Sequence, residues 1–455
     1  GLFSRGPPKP FSVRLKAALA DAVLSIDGKV IRDPAEESKF RLNTTLAGER
    51  MNSLNHLFGF DLPPLGPYNI TGTVDNEGKT LNFHDLMLQI GRSALAGAIV
   101  ISGTRNETGE FEFPIHLDTR LKAASIQLND FRFGDWSPIE TGSEASVATA
   151  AQETPAAVTE RGVSTNQLNT LLSPELAAKI EGSLDIEVGE VLSGSDKLGG
   201  GQLSATLENG RYSVDQLLLD IPSGIVRIQG SLKPEPSRME ARLAMQIENM
   251  DYGILIRRAL PDSDINGVIN LNLDLNATAE NPQRLTEHLN GHLWIGVVPE
   301  DHLAGVVDLW AVNILSAALP AMLRGKPSTV NCLAGNFTLN DGMLTPDILM
   351  LDTTRVRVQG KGTVDFKTGA IDFHMKPTPK SAHFFSLATP VSVSGTIREP
   401  NISVTADNVL KTVFRVVTSV VTVPFKRLFT ASMEPDGKEA CSAAMDWVKQ
   451  HDLKN

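Results

Sequence analysis

Apolar and polar positions alternate with a period of two along much of the chain. Clear runs are Leu81-Asn82-Phe83, Leu86-Met87-Leu88-Gln89-Ile90, Val226-Arg227-Ile228-Gln229 and Val356-Arg357-Val358-Gln359. Successive side chains of a strand point to opposite faces, so this period predicts half-buried antiparallel strands. Between such runs stand Asn76-Glu77-Gly78-Lys79, Glu208-Asn209-Gly210, Asn340-Asp341-Gly342 and Lys367-Thr368-Gly369. These residues tolerate positive φ, and their placement predicts hairpins joining strands that are neighbours in sequence.

Superposing the runs gives a degenerate repeat: Gly72, Gly78 and Gly97 correspond to Gly201, Gly210 and Gly230, then to Gly335, Gly342 and Gly360. Each unit reads strand, glycine turn, longer strand, then a strand into a second glycine, the pattern of stacked meanders. Asp85, Asp215 and Asp347 recur at one place in the repeat. Their repetition argues for a role in turns rather than for paired catalytic carboxylates. Few helices are expected: a short one at 173–180, one opening at Asn281-Pro282 and running to Leu289, and an apolar one at 303–323. The last is apolar around nearly its whole circumference and has to be enclosed. A further amphipathic run, Val409 to Phe429, is β-branched on one side and carries cations elsewhere. It suits docking on a sheet end or lying on an anionic bilayer. Residues 141–165, rich in Ala, Thr, Ser and Glu, have no apolar period and read as a flexible linker.

Composition narrows the function classes. With 42 Lys and Arg against 53 Asp and Glu, the net charge is −11, and the cations are scattered. That excludes a phosphate-backbone footprint, hence nucleic acid as a partner. The most apolar uncharged stretch, Leu309 to Leu323, is too short to cross a bilayer. The opening Gly1-Leu2-Phe3-Ser4-Arg5 has no Met and no apolar signal core, and reads as a fragment or a processed product. No Gly-x-Ser-x-Gly elbow occurs, and Gly72 to Gly78-Lys79-Thr80 has the wrong spacing and the wrong element for a phosphate loop. His288 and His292 stand four apart without a carboxylate base, so no metal site and no cofactor is expected. No nucleophile, base and orienter can be nominated, so no catalytic residue is assigned and an enzyme is not expected. Cys332 and Cys441 are the two cysteines. In an exported chain they could bridge the tail to the last β region; free thiols are the alternative.

An extended stack of alternating strands has an apolar face that needs cover, and so few helices cannot supply it. Either a second sheet folds over it or it forms a channel for acyl chains. In both cases the inward set includes Leu86, Leu88, Ile90, Leu217, Leu219, Ile221, Val226, Ile228, Leu349, Leu351, Val356 and Val358.

Three stretches resemble the AsmA family. The first is Phe60-Asp61-Leu62-Pro63-Pro64-Leu65-Gly66-Pro67-Tyr68 with the run from Asp85 to Gly97. The second is Val330-Asn331-Cys332-Leu333-Ala334-Gly335-Asn336-Phe337 leading to Asp341-Gly342. The third runs from Leu351-Asp352-Thr353-Thr354 through Gly360-Lys361-Gly362-Thr363 to Pro390-Val391-Ser392-Val393-Ser394-Gly395. The likeness covers most of residues 11–140 and 200–405, and is to the periplasmic C-terminal portion of such proteins. It implies a mostly β fold, an elongated, curled antiparallel sheet of repeated meanders enclosing an apolar groove. It also implies a non-enzymatic protein of the Gram-negative envelope that is periplasmic, anchored to the inner membrane by a segment missing from this chain, and a carrier of phospholipid. An outer-membrane or other envelope protein is a possible partner. The alternative is a scaffold for outer-membrane proteins acting through strand edges or the C-terminal helix. The expected organisation is an N-terminal β segment, 1–140; the linker, 141–165; a β-groove region, 166–405, carrying helix 303–323; and an amphipathic helix and tail, 406–455.

Overall fold

The computed structural model describes residues 10–31, 39–55, 62–77, 80–104, 112–131, 174–257, 266–300, 330–380, 390–404 and 434–449, apart from positions 20, 195, 222 and 254–255. The runs 303–323 and 409–429 and the linker 141–165 lie outside these residues. The chain is mostly β: twenty strands, β1 to β20, form a 20-stranded sheet, with few helices. It divides into two compact units, residues 1–216 with 234–236, and 217–233 with 237–455.

The first unit holds β1 (Pro10–Leu19), β2 (Ala22–Ile31), β3 (Lys39–Gly48), β4 (Tyr68–Glu77), β5 (Thr80–Ile90), β6 (Ser93–Ser102), β7 (Ile115–Gln127), β8 (Ile180–Ser193) and β9 (Asp196–Glu208). The strand β10 (Arg211–Ile221) is divided between the units. Strands β1 to β7 pair in sequence order and antiparallel, as the alternation predicts. The pair β7–β8 departs from that expectation and is parallel, from Ile115 opposite Ile180 to Gln127 opposite Leu192. A parallel pair needs a crossover of a dozen or more residues. The long stretch between Gln127 and Ile180, with the short helix α1 (Pro174–Ala177) near its end, provides it.

The second unit contains β11 (Gly224–Glu235), β12 (Arg238–Asp251), β13 (Gly267–Ala279), β14 (Asn290–Pro299), β15 (Val330–Asn340), β16 (Met343–Thr353), β17 (Val356–Asp365), β18 (Ala370–Pro379), β19 (Val391–Thr396) and β20 (Pro400–Val404). From β12 to β20 each strand pairs antiparallel with the next. The segment expected as a helix from Asn281 is a 3-10 helix, Pro282–His288, whose Asn281 side chain accepts a hydrogen bond from the Arg284 amide. Sequence patterning missed the helix α2 (Lys438–Lys449), which lies against β13, β14 and β15.

The hairpin signals behave as expected: Asn209 and Gly210 have φ of 50° and 73°, and Asp341 and Gly342 have 47° and 77°. The repeated aspartates do not. Asp85 and Asp347 lie inside β5 and β16, not at hairpin turns. Each stands within a register shift, between Phe83 and Leu86 and between Leu344 and Met350. Asp85 takes φ 50° there. The extra residue of a bulge resets the side-chain alternation. It therefore brings Phe83 and Leu86, odd and even in sequence, to the same face.

Candidate functional site: the apolar face of the sheet

Directly opposed residues on neighbouring strands share a face, so the registers define rows across the sheet. In the first unit one row runs Val13, Gly28, Leu42, Val74, Phe83, Ile99, Thr119, Leu184, Ala205, crossing nine strands. A second is Ala17, Leu24, Leu46, Ile70, Leu88, Leu95. Two more are Leu86, Gly97, Leu121, Ile186, Leu203 and Leu81, Ile101, Leu117, Gly182, Leu207. None of these positions is charged. At Gly97 a Cβ would stand 1.9 Å from the Arg120 carbonyl oxygen, so only glycine admits the close approach of β6 and β7. A hollow of about 580 Å³ lies there, lined by Gly97, Leu121, Ile186 and Leu203 among others.

The opposite face is polar. One of its rows is Ser12, Lys29, Arg41, Asp75, Asn82. Hydrogen bonds cross between strands, as from Ser183 to Asp118 (2.7 Å) and from Ser204 to Asp185 (2.8 Å). Asp75 accepts from Arg41 Nη2 (3.2 Å) and Asn82 Nδ2 (3.3 Å), and pairs with His84 Nε2 (3.1 Å). Burial pushes its carboxyl up, but the bonds from Asn82, His84 and Arg41 outweigh that and hold it below the usual value.

The second unit repeats the division. Met250, Ile269, Val297, Leu333, Leu351, Val358 and Pro377 form one apolar row, and Ile247, Leu271, Ile295, Gly335 and Leu349 another. On the reverse face Cys332 is disulfide-bonded to Cys441 of α2, with a Cα–Cα distance of 5.7 Å. Beside it Asp352, fully buried, accepts from Arg357 Nε (2.8 Å), Lys380 Nζ (2.7 Å) and Asn331 Nδ2 (2.8 Å). Lys380 Nζ also donates to the Glu434 carbonyl (2.7 Å) and Asn331 Nδ2 to that of Pro435 (2.8 Å). Burial lowers the Lys380 pKa from its ordinary value, partly offset by Asp352. Alternation alone marks these side chains as outward and solvated. Their cover comes from a segment some 80 residues further on, a signal no local pattern carries.

The inward set expected from the sequence is distributed as follows. Leu86, Leu88 and Ile90 belong to the first unit and the other nine to the second. Ile90 is buried in a core with Ala22, Leu54, Leu65 and Tyr68, against which Leu88 packs. Leu351, Val356 and Val358 are buried in a core with Ile371, Met375, Val391 and Val393. Leu86 and Val226 are buried; Leu217, Leu219, Ile221, Ile228 and Leu349 are half-buried. The residues lining the hollow in the first unit, Leu121, Ile186 and Leu203, were not in that set. The two histidines are engaged separately: His288 Nδ1 lies 2.8 Å from Asp341 Oδ1, and His292 stacks at an angle on Trp294. Among the described residues no group of three or more His, Cys, Asp or Glu is placed to hold a metal.

These features define a class: a β-sheet protein in which each unit has an apolar face opposed to a polar one. No family model matches the chain. A curated relative, AsmA family protein YhjG of Escherichia coli (strain K12), is 21% identical over 427 residues, covering 88% of this chain and 58% of that protein. This relationship supports membership of the AsmA family. The chain thus spans little more than half of the relative's length.

Proposed function

We propose that the chain is a non-enzymatic lipid-binding protein of the Gram-negative envelope. It holds phospholipid acyl chains along the apolar sheet face, in the periplasm, as part of a longer protein held at the inner membrane. The observation that carries this reading is the uncharged row from Val13 to Ala205, with the hollow at Leu121, Ile186 and Leu203 along the same face. Each methylene withdrawn from water onto such a face contributes about 0.8 kcal/mol, so a tail is held without any specific polar group. The headgroup stays in water at the rim. A disulfide in a chain with no other cysteine suits an oxidising compartment.

The test is to purify the chain after mild detergent extraction, denature it, and identify released lipids by mass spectrometry. Ile186→Asp with Leu203→Asp is the control variant, because both side chains are half-buried at the hollow. Val358 is unsuitable, being 2% exposed within a packed core. Near-stoichiometric phospholipid, lost from a variant with unchanged circular dichroism, is the expected result. A folded wild-type chain without lipid above background overturns the reading.

A further inference from the structure

We infer that the helix α2 is a redox-controlled latch: reduction of the Cys332–Cys441 bridge by a dithiol releases the helix from the sheet and uncovers an apolar patch beneath it. The inference stands apart from acyl-chain binding, because this patch lies on the reverse face of the second unit. There Ala334, directly opposite Met350, and Ile348 continue the face that Cys332 shares with Asp352. All three are at most 3% exposed and pack with Cys332, Ala440 and Cys441. A face that is polar elsewhere thus carries a local apolar seat for the helix.

Apart from the bridge, the hold on α2 is slight. Among its described side chains Ala440 and Cys441 are buried and Met445 is half-buried, so little apolar surface leaves water on docking. The residues leading into the helix, 434–437, are seated through main-chain carbonyls: Lys380 Nζ donates to Glu434 (2.7 Å) and Asn331 Nδ2 to Pro435 (2.8 Å). Water replaces such bonds at small net cost. Gly437, at φ 60°, sits so close that a Cβ there would stand 2.1 Å from Asp352 Oδ2. That seat has a penalty. Asp352, Arg357 and Lys380 are one carboxylate against two cations, with side chains at most 2% exposed. Burial disfavours the charged ammonium of Lys380, and opening the latch returns it to water. A helix of twelve residues is marginal by itself, so α2 unfolds once it is off the sheet.

Access decides which sulfur reacts. Cys332 has no exposed surface, whereas Cys441 is 8% exposed and lines a hollow of about 460 Å³ with Val298, Val330 and Met445. A thiolate of the dithiol attacks Cys441 Sγ, the S–S bond breaks, and its electron pair leaves on Cys332 Sγ. The second thiol of the reductant then attacks its own sulfur in the mixed disulfide and releases Cys441. The dithiol ends as a cyclic disulfide, and its two protons go to the two cysteine thiolates.

The whole oxidised chain is incubated with dithiothreitol under native conditions and followed by amide hydrogen exchange and by maleimide alkylation. Residues 438–449 are expected to lose their protection while β15 and β16 keep theirs, with both cysteines alkylated in the absence of denaturant. Reoxidation with oxidised glutathione restores the protection. Cys332→Ser with Cys441→Ser shows the open pattern without any reductant. A reduced chain in which α2 stays protected, or in which Cys441 is alkylated and Cys332 is not, overturns the inference, since the helix is then docked without its bridge. Loss of protection across β15 and β16 as well does the same, marking a cross-link that the sheet itself needs. So does a bridge that dithiothreitol reaches only in urea.

Discussion

The most consequential single residue is Asp352, a carboxylate with no exposed surface that faces two cations and an amide. Replacing it with Ala leaves Arg357 and Lys380 buried without their counter-charge, a change that costs about 3–5 kcal/mol in comparable sites. Urea unfolding of Asp352→Ala should show a midpoint lowered accordingly at unchanged slope. A second effect at this scale concerns the three tyrosines, Tyr68, Tyr212 and Tyr252, all raised above the ordinary phenol value, first by burial. Tyr252 is pushed up to about 12, with Asp251 and Glu300 adding to burial. The native chain therefore keeps a proton that the unfolded chain releases near pH 10. The contribution of Tyr252 to stability is full below pH 10 and falls as pH rises towards 12. Absorbance titration of phenolate should find Tyr252 still protonated at pH 10 in the folded chain, with thermal stability falling as pH rises above 10.

At the scale of elements, much was legible because hairpins and strands are specified by neighbours in sequence. The pairs Asn209-Gly210 and Asp341-Gly342 announce positive φ, and both adopt it. The bulge at Asp85 was not legible as one: both runs, Leu81 to Phe83 and Leu86 to Ile90, alternate correctly, and it is pairing with β4 and β6 that puts the two phases on one face. A residue there must sit at positive φ, which a β-branched side chain resists. Asp85→Val should destabilise by about 1–2 kcal/mol, whereas Asp85→Gly should change thermal stability little. The helix α2 escaped notice because its buried residues, Ala440 and Cys441, are small, and its anchors lie far away in sequence. One anchor, the Cys332–Cys441 bridge, closes a loop of 109 residues. Chain-entropy reasoning gives it up to about 4.7 kcal/mol. Cys332→Ser with Cys441→Ser should thus lower the unfolding temperature while leaving the β content intact by circular dichroism.

At the scale of the molecule, the sequence announces sheets with one apolar and one polar face, since that follows from period two alone. The side chains expected to face inward lie on strands of both units, yet the hollow beside Leu121, Ile186 and Leu203 was out of reach of pattern reading. Its floor is built where β7 meets β8, and nothing in the apolar rhythm distinguishes a parallel neighbour from an antiparallel one. That junction has a consequence for how the protein can be put together. Every other ladder from β1 to β7 closes over a connection of modest length, but β7 and β8 are separated by some fifty residues of sequence. Covalent continuity there adds only a proximity that weakens slowly as the loop lengthens. Two polypeptides, 1–140 and 166–455, co-expressed as separate genes should therefore find each other through this ladder and purify as one complex, a ready-made split reporter for assembly inside living cells.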